Sequence, residues 1–120
     1  MSLDIFKEGD CVLTTHKPCP CVEFAIGDHH RHGFQAAQLI CYTLEPNPQA
    51  EGEKGKPAQK LTLAFATADV VVTGWRLHSL CDRLRDGDLL AVRALPDRYA
   101  DLDKNKPYVA SISVTPITKA

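Results

Sequence analysis

Apolar and polar residues alternate in several short blocks, and the most regular block lies near the end of the chain. From 108 to 115, Tyr108, Ala110, Ile112 and Val114 fall on one side and Val109, Ser111, Ser113 and Thr115 on the other. A period of two marks a β-strand with one face inward. Leu61, Leu63 and Phe65 alternate with Thr62 and Ala64 and predict another strand over about 60–66. The runs DVVV at 69–72 and LLAV at 89–92 do not alternate. Both predict short, fully buried strands. Phe34 to Leu44, with LICYTL inside it, predicts a strand that is mostly buried.

One segment changes period. In WRLHSLCDRLRDG, Leu77, Leu80, Cys81 and Leu84 recur at offsets of three, four and seven, the apolar stripe of a helix at about 75–86. Arg76, Ser79, Arg83 and Asp86 fall mainly on its wet side. Thr73 is the expected N-terminal cap, and Gly87 suits the left-handed residue after the last turn. From residue 34 the order is therefore β-β-β-α-β-β. The expected class is α+β, with mostly antiparallel strands in a barrel-like or half-open sheet and a β-rich N-terminal extension. Five-stranded barrels that bind oligonucleotides or sugars share this order.

Composition adds limits. A length of 120 residues fits one domain, 1–120, with a real core. Within it, 1–33 is rich in Cys, His and Pro. EPNPQAEGEKGKPAQ, residues 45–59, has no aliphatic residue larger than alanine and reads as a flexible loop or hairpin tip. Fourteen basic and fifteen acidic residues give a formal charge of −1, with no basic stripe for a nucleic-acid backbone. Tyr42, Phe65 and Tyr108 fall on apolar-facing positions and are expected to pack in the core instead of stacking on bases. No apolar run approaches the roughly 20 residues that cross a bilayer, so no membrane partner is expected. The N-terminus has no secretory pattern, which points to the cytoplasm, where cysteines remain thiols or ligands.

The candidate chemistry is concentrated in THKPCPCVEFAIGDHHRH, residues 15–32, which holds two of five cysteines and four of five histidines. In CVEFAI, Val22, Phe24 and Ile26 share one face and Cys21, Glu23 and Ala25 the other. A two-residue turn at Gly27-Asp28 would pair Ala25 with His30 and Glu23 with His32. Cys21, Glu23, His30 and His32 would then share a face, with Cys19 at its edge. Opposed side chains have Cβ atoms about 5 Å apart, close enough for thiolate, imidazole and carboxylate to hold zinc or another transition metal. The same register places His29 and Arg31 on the apolar side. The competing reading is an exposed polar loop.

Other motifs fall short. DLDKN at 101–105 opens like a calcium loop, but Lys106 stands where glycine is needed and Ile112 where a bidentate glutamate belongs. No G-x-S-x-G, G-x-x-x-x-G-K-[ST] or G-x-G-x-x-G is present. Cysteines and histidines coexist, but no local motif aims a base at a thiol. The reading is a small non-catalytic module that binds a protein partner or assembles with itself, because strand edges invite pairing. The alternative is a metal-binding protein using the 16–32 cluster.

Overall fold

The structure, a computed structural model, describes residues 10–15, 20–26, 30–48, 57–96, 99 and 106–117. Eight strands and one helix appear among them. In chain order they are β1 (Val12–Thr14), β2 (Cys21–Ile26), β3 (His30–Gln35), β4 (Leu39–Pro46), β5 (Gln59–Phe65), β6 (Ala68–Trp75), α1 (His78–Asp86), β7 (Leu89–Arg93) and β8 (Tyr108–Pro116). A single 3-10 turn, Ala36–Gln38, joins β3 to β4. The strands form two four-stranded sheets, ordered β1-β7-β2-β3 and β4-β5-β6-β8. Every pairing is antiparallel except β2 with β7. Both sheets are open, so the fold is α+β with the expected order from residue 34, and neither sheet closes into a barrel.

The alternating blocks explain the core. Leu61, Leu63 and Phe65 of β5 and Val70 and Val72 of β6 are buried, as are Val22 and Phe24 of β2 and Phe34 of β3. Phe34 stacks on Phe65 at 4.2 Å between ring centres, so one aromatic contact joins the two sheets. Phe24 meets both rings edge-on, at 6.1 and 6.2 Å. Edge-on and offset arrangements suit the ring quadrupole and add to simple burial. The buried residues of both sheets form one cluster, to which α1 contributes Leu80 and the residue before it, Leu77.

Several expectations need correction. β6 is not buried on both faces: it runs from Ala68 to Trp75 with alternately buried and half-buried residues, because only one side faces the other sheet. The helix starts at His78 instead of 75. Thr73 does not cap it, since its hydroxyl pairs with that of Ser111 across β6 and β8. The Leu77 N–H instead donates to Gln59 Oε1 at 2.7 Å, so a β5 side chain serves the helix start. Gly87 is left-handed (φ 76°) and its N–H donates to the Arg83 and Leu84 carbonyls, as its sequence position predicted.

β4 departs furthest from expectation. It was expected to be mostly buried, but none of its eight residues is, because it borders its sheet and the other sheet does not cover it. Tyr42, expected in the core, is 38 % exposed, whereas Phe65 and Tyr108 are buried as expected. The polar stretch after β4 does close a hairpin. The Asn47 N–H donates to the Ala58 carbonyl at 2.9 Å, and Asn47 Nδ2 to that of Pro57 at 2.9 Å. Residues 49–56 and 101–105 lie outside the described residues, and with them the calcium-like DLDKN.

β6 and β8 fit together through a bulge at Thr73 and Gly74. A side chain at Gly74 would be driven into the Tyr108 carbonyl oxygen, so the close strand approach needs glycine. Arg76 has φ 58°, in the left-handed region a non-glycine residue seldom adopts. Its Nε donates to the Lys106 carbonyl at 2.6 Å, anchoring the turn into α1 against the approach to β8.

Candidate functional site

The hairpin of β2 and β3 pairs one residue out of step with the sequence expectation. Phe24 faces His32, Ala25 faces Arg31 and Ile26 faces His30, which leaves three residues between the strands instead of two. In a strand, a slip of one exchanges the two faces. His30 and His32 therefore lie on the face of Ile26, Phe24 and Val22, while Cys21 and Glu23 lie on the other. The expected convergence of Cys21, Glu23, His30 and His32 does not occur. Cys19, like His16 and His29, lies outside the described residues. Among the described residues, no group of three or more His, Cys, Asp or Glu is placed to hold a metal ion.

The slip relieves the difficulty of the expected register. Arg31 moves to the wet face, where its guanidinium lies 3.7 Å from Glu23 Oε2. Both side chains are substantially exposed, so the pair contributes little. His32 moves to the apolar side and stacks on Phe34 at 4.6 Å. With Phe34 on Phe65, three rings form a column from the hairpin into the second sheet. The histidine is thus used for packing. Phe34 carried the sequence signal: the two-residue turn would have put this large apolar ring on the wet face.

A second place of interest is a cavity of about 260 Å³ between the start of β1, the first turns of α1 and the approach to β8. Cys11, Val12 and Pro107 give it apolar walls, and Thr14, Ser79, Asp10, Arg83 and Lys106 give it polar ones. The charged residues are paired. Lys106 Nζ lies 2.7 Å from Asp10 Oδ1, and Arg83 donates to Asp88 at 2.6 Å and Asp86 at 3.0 Å. Cys11 is buried, and its Sγ accepts the Val109 N–H at 3.3 Å. Burial pushes its thiol above the ordinary 9.0, against the opposing pull of that N–H and of Arg93. Burial also raises Cys81, with Asp82 adding to the effect. Neither thiol is activated as a nucleophile. No local sequence pattern marks this cavity, because its walls come from three separated segments.

The third is the open side of β4. Among the described strands β4 pairs with β5 alone. Ile40 sits at a register shift between Leu39 and Cys41 and is 72 % exposed. Cys41 and Thr43 are exposed too, and Leu39 and Leu44 are half-buried. From Gly33 to Leu44 the chain carries no charged residue. Among the described residues, no helix is long and apolar enough to cross a membrane. Comparison with known proteins finds no matching family model, no matching curated protein and no matching solved structure.

Proposed function

We propose that the protein is a non-catalytic module that assembles with itself by pairing the open side of β4 with β4 of a second copy. The carrying observation is the exposure of Ile40 on an edge strand without charge until Glu45. An edge strand offers a row of unpaired N–H and C=O groups, and proteins usually guard it with lysine, proline or a bulge. β4 has a bulge at Ile40 and a proline only at its last residue. The bulge leaves the run from Cys41 to Glu45 regular for pairing.

Charge compatibility favours a second copy. In a two-fold antiparallel arrangement centred on Thr43, Tyr42 faces Leu44 and Cys41 faces Glu45, with Ile40 at each end of the ladder. No like charges oppose each other, and the patch complements itself, as a two-fold interface requires. Two four-stranded sheets would become one of eight across the axis.

Sedimentation equilibrium of the full chain and of Ile40→Lys tests this. Dimers are expected for the parent, with the dissociation constant raised at least about tenfold by a lysine at the edge. A parent that stays monomeric at every concentration overturns the reading, as does an Ile40→Lys chain that dimerises unchanged. Species that keep growing with concentration indicate β4 meeting a different strand of the next copy, and overturn the two-fold arrangement.

A further inference from the structure

We propose that the cavity bounded by Cys11, Val12, Thr14, Ser79 and Pro107 is a binding site for a small uncharged molecule: a single ring bearing one hydroxyl or similar polar group. Size comes first. A volume of about 260 Å³ exceeds the roughly 150 Å³ that accepts a benzene ring. It falls just short of the roughly 300 Å³ at which sites for larger organic ligands begin. One ring with a substituent fills it.

The chemistry of the walls narrows the class. Apolar surface with a few polar groups turned toward it is the usual make-up of a small-molecule site. Here the apolar part is Val12, Pro107 and the buried Cys11, whose thiol is neutral at ordinary pH. The hydroxyls of Thr14 and Ser79 can each donate or accept. Ser79 Oγ makes only a long bond, 3.4 Å, to the Arg76 carbonyl, so it can turn to a ligand at small cost.

The charged groups argue against a charged ligand. Arg83 is engaged by Asp86 and Asp88, and Lys106 by Asp10. A carboxylate or phosphate would have to take a cation from its present partner, and an ammonium would have to take Asp10 from Lys106. A neutral ring disturbs neither pair. Its burial is favoured because apolar surface leaves water. The site is distinct from β4, so it does not depend on self-assembly.

The test uses the full chain, labelled with ¹⁵N and titrated with phenol, benzene and benzoate while the Val12, Thr14 and Ser79 amide signals are followed. Phenol and benzene are expected to shift all three saturably, phenol several-fold more tightly. Benzoate is expected to bind at least about tenfold more weakly than phenol. Thr14→Val should weaken phenol while sparing benzene, and Ser79→Phe, on a half-buried helix position, should abolish both shifts. Far-UV circular dichroism checks that each variant is folded. The proposal is overturned if neither phenol nor benzene produces saturable shifts, if benzoate binds more tightly than phenol, or if folded Ser79→Phe binds both rings as the parent does.

Discussion

β3 and β4 are separated only by the turn Ala36–Gln38, yet they border different sheets and treat their open sides differently. β3 carries Arg31 outward beside Glu23 and turns His32 and Phe34 inward onto the aromatic column. β4 has no charge before Glu45 and leaves Ile40 and Tyr42 in water. The contrast shows that neighbouring strands need not share an environment. What decides is whether the facing layer extends far enough to cover the strand. β3 looks onto Phe65 of the other sheet, whereas β4 lies at that sheet's rim. An apolar strand at a rim is a contact surface, and a charged one is a guarded border.

Removing the shared contact should have the largest effect. Phe65→Ala takes away the ring on which Phe34 rests and should cost about 3–5 kcal/mol of unfolding free energy, measured by urea titration. A cost below about 1 kcal/mol, the level of ordinary substitutions, would mean that the sheets are not joined there. The two described strand glycines come next, because they should respond with opposite signs. Gly74→Ala, on the β4 side of the fold, forces β6 away from β8 and should cost about 3 kcal/mol. Gly33→Ala, in β3, meets only Glu23 Cγ at 3.6 Å and the Val22 carbonyl at 3.9 Å, ordinary contacts. It should stabilise by about 0.5 kcal/mol through a less free unfolded chain. If both destabilise equally, the packing described for β3 is wrong.

Alkaline pH sharpens the comparison by a smaller step. The folded Cys11 thiol titrates above its unfolded value, so the neutral form is favoured by folding. Its contribution is complete below about pH 9 and is lost as pH rises through the folded value. Stability of the parent should therefore fall more steeply on the alkaline side than that of Cys11→Ser, as read from urea midpoints. Equal slopes would show that Cys11 is not buried as described. The exposed Cys41 of β4 should meanwhile react with a thiol reagent in the folded chain, while Cys11 waits for unfolding. Arg31→Ala should have the least effect, within about 0.5 kcal/mol, because its 3.7 Å contact with Glu23 is longer than a hydrogen bond and joins two partly exposed side chains. A loss of more than 1 kcal/mol would make that border a structural one.

Much of the fold was legible, because the period of the hydrophobic pattern reflects which face is covered. The alternation in β8, the stripe of Leu77, Leu80, Cys81 and Leu84, and Gly87 each correspond to a local geometric need. Local pattern misleads where a global choice overrules it. LICYTL looks like a core strand, and only the extent of the opposite sheet makes it a rim. Thr73 is a good cap by type, but β6 continues through it. The hairpin register depended on one turn residue, and placing Phe34 inward was worth more than an ideal two-residue turn. The expected four-residue cluster failed with that register. The cavity was out of reach because no local pattern records how separated segments meet.

The parallel pairing of β2 with β7 has a consequence for how the chain is made. β7 lies between β1 and β2, so the first sheet has a vacant centre until residues 89–93 leave the ribosome. Arg93 then reaches back 83 residues to the Asp10 carbonyl. Until that moment the β2–β3 hairpin presents a bare flank and β1 has no strand beside it, while β4, β5 and β6 can already zip together from their own hairpins. Nascent chains should thus join β4, β5 and β6 first, close the first sheet when β7 arrives and add β8 to the second sheet last, with an interval in which chaperones would find their binding sites on β1 and the β2–β3 hairpin.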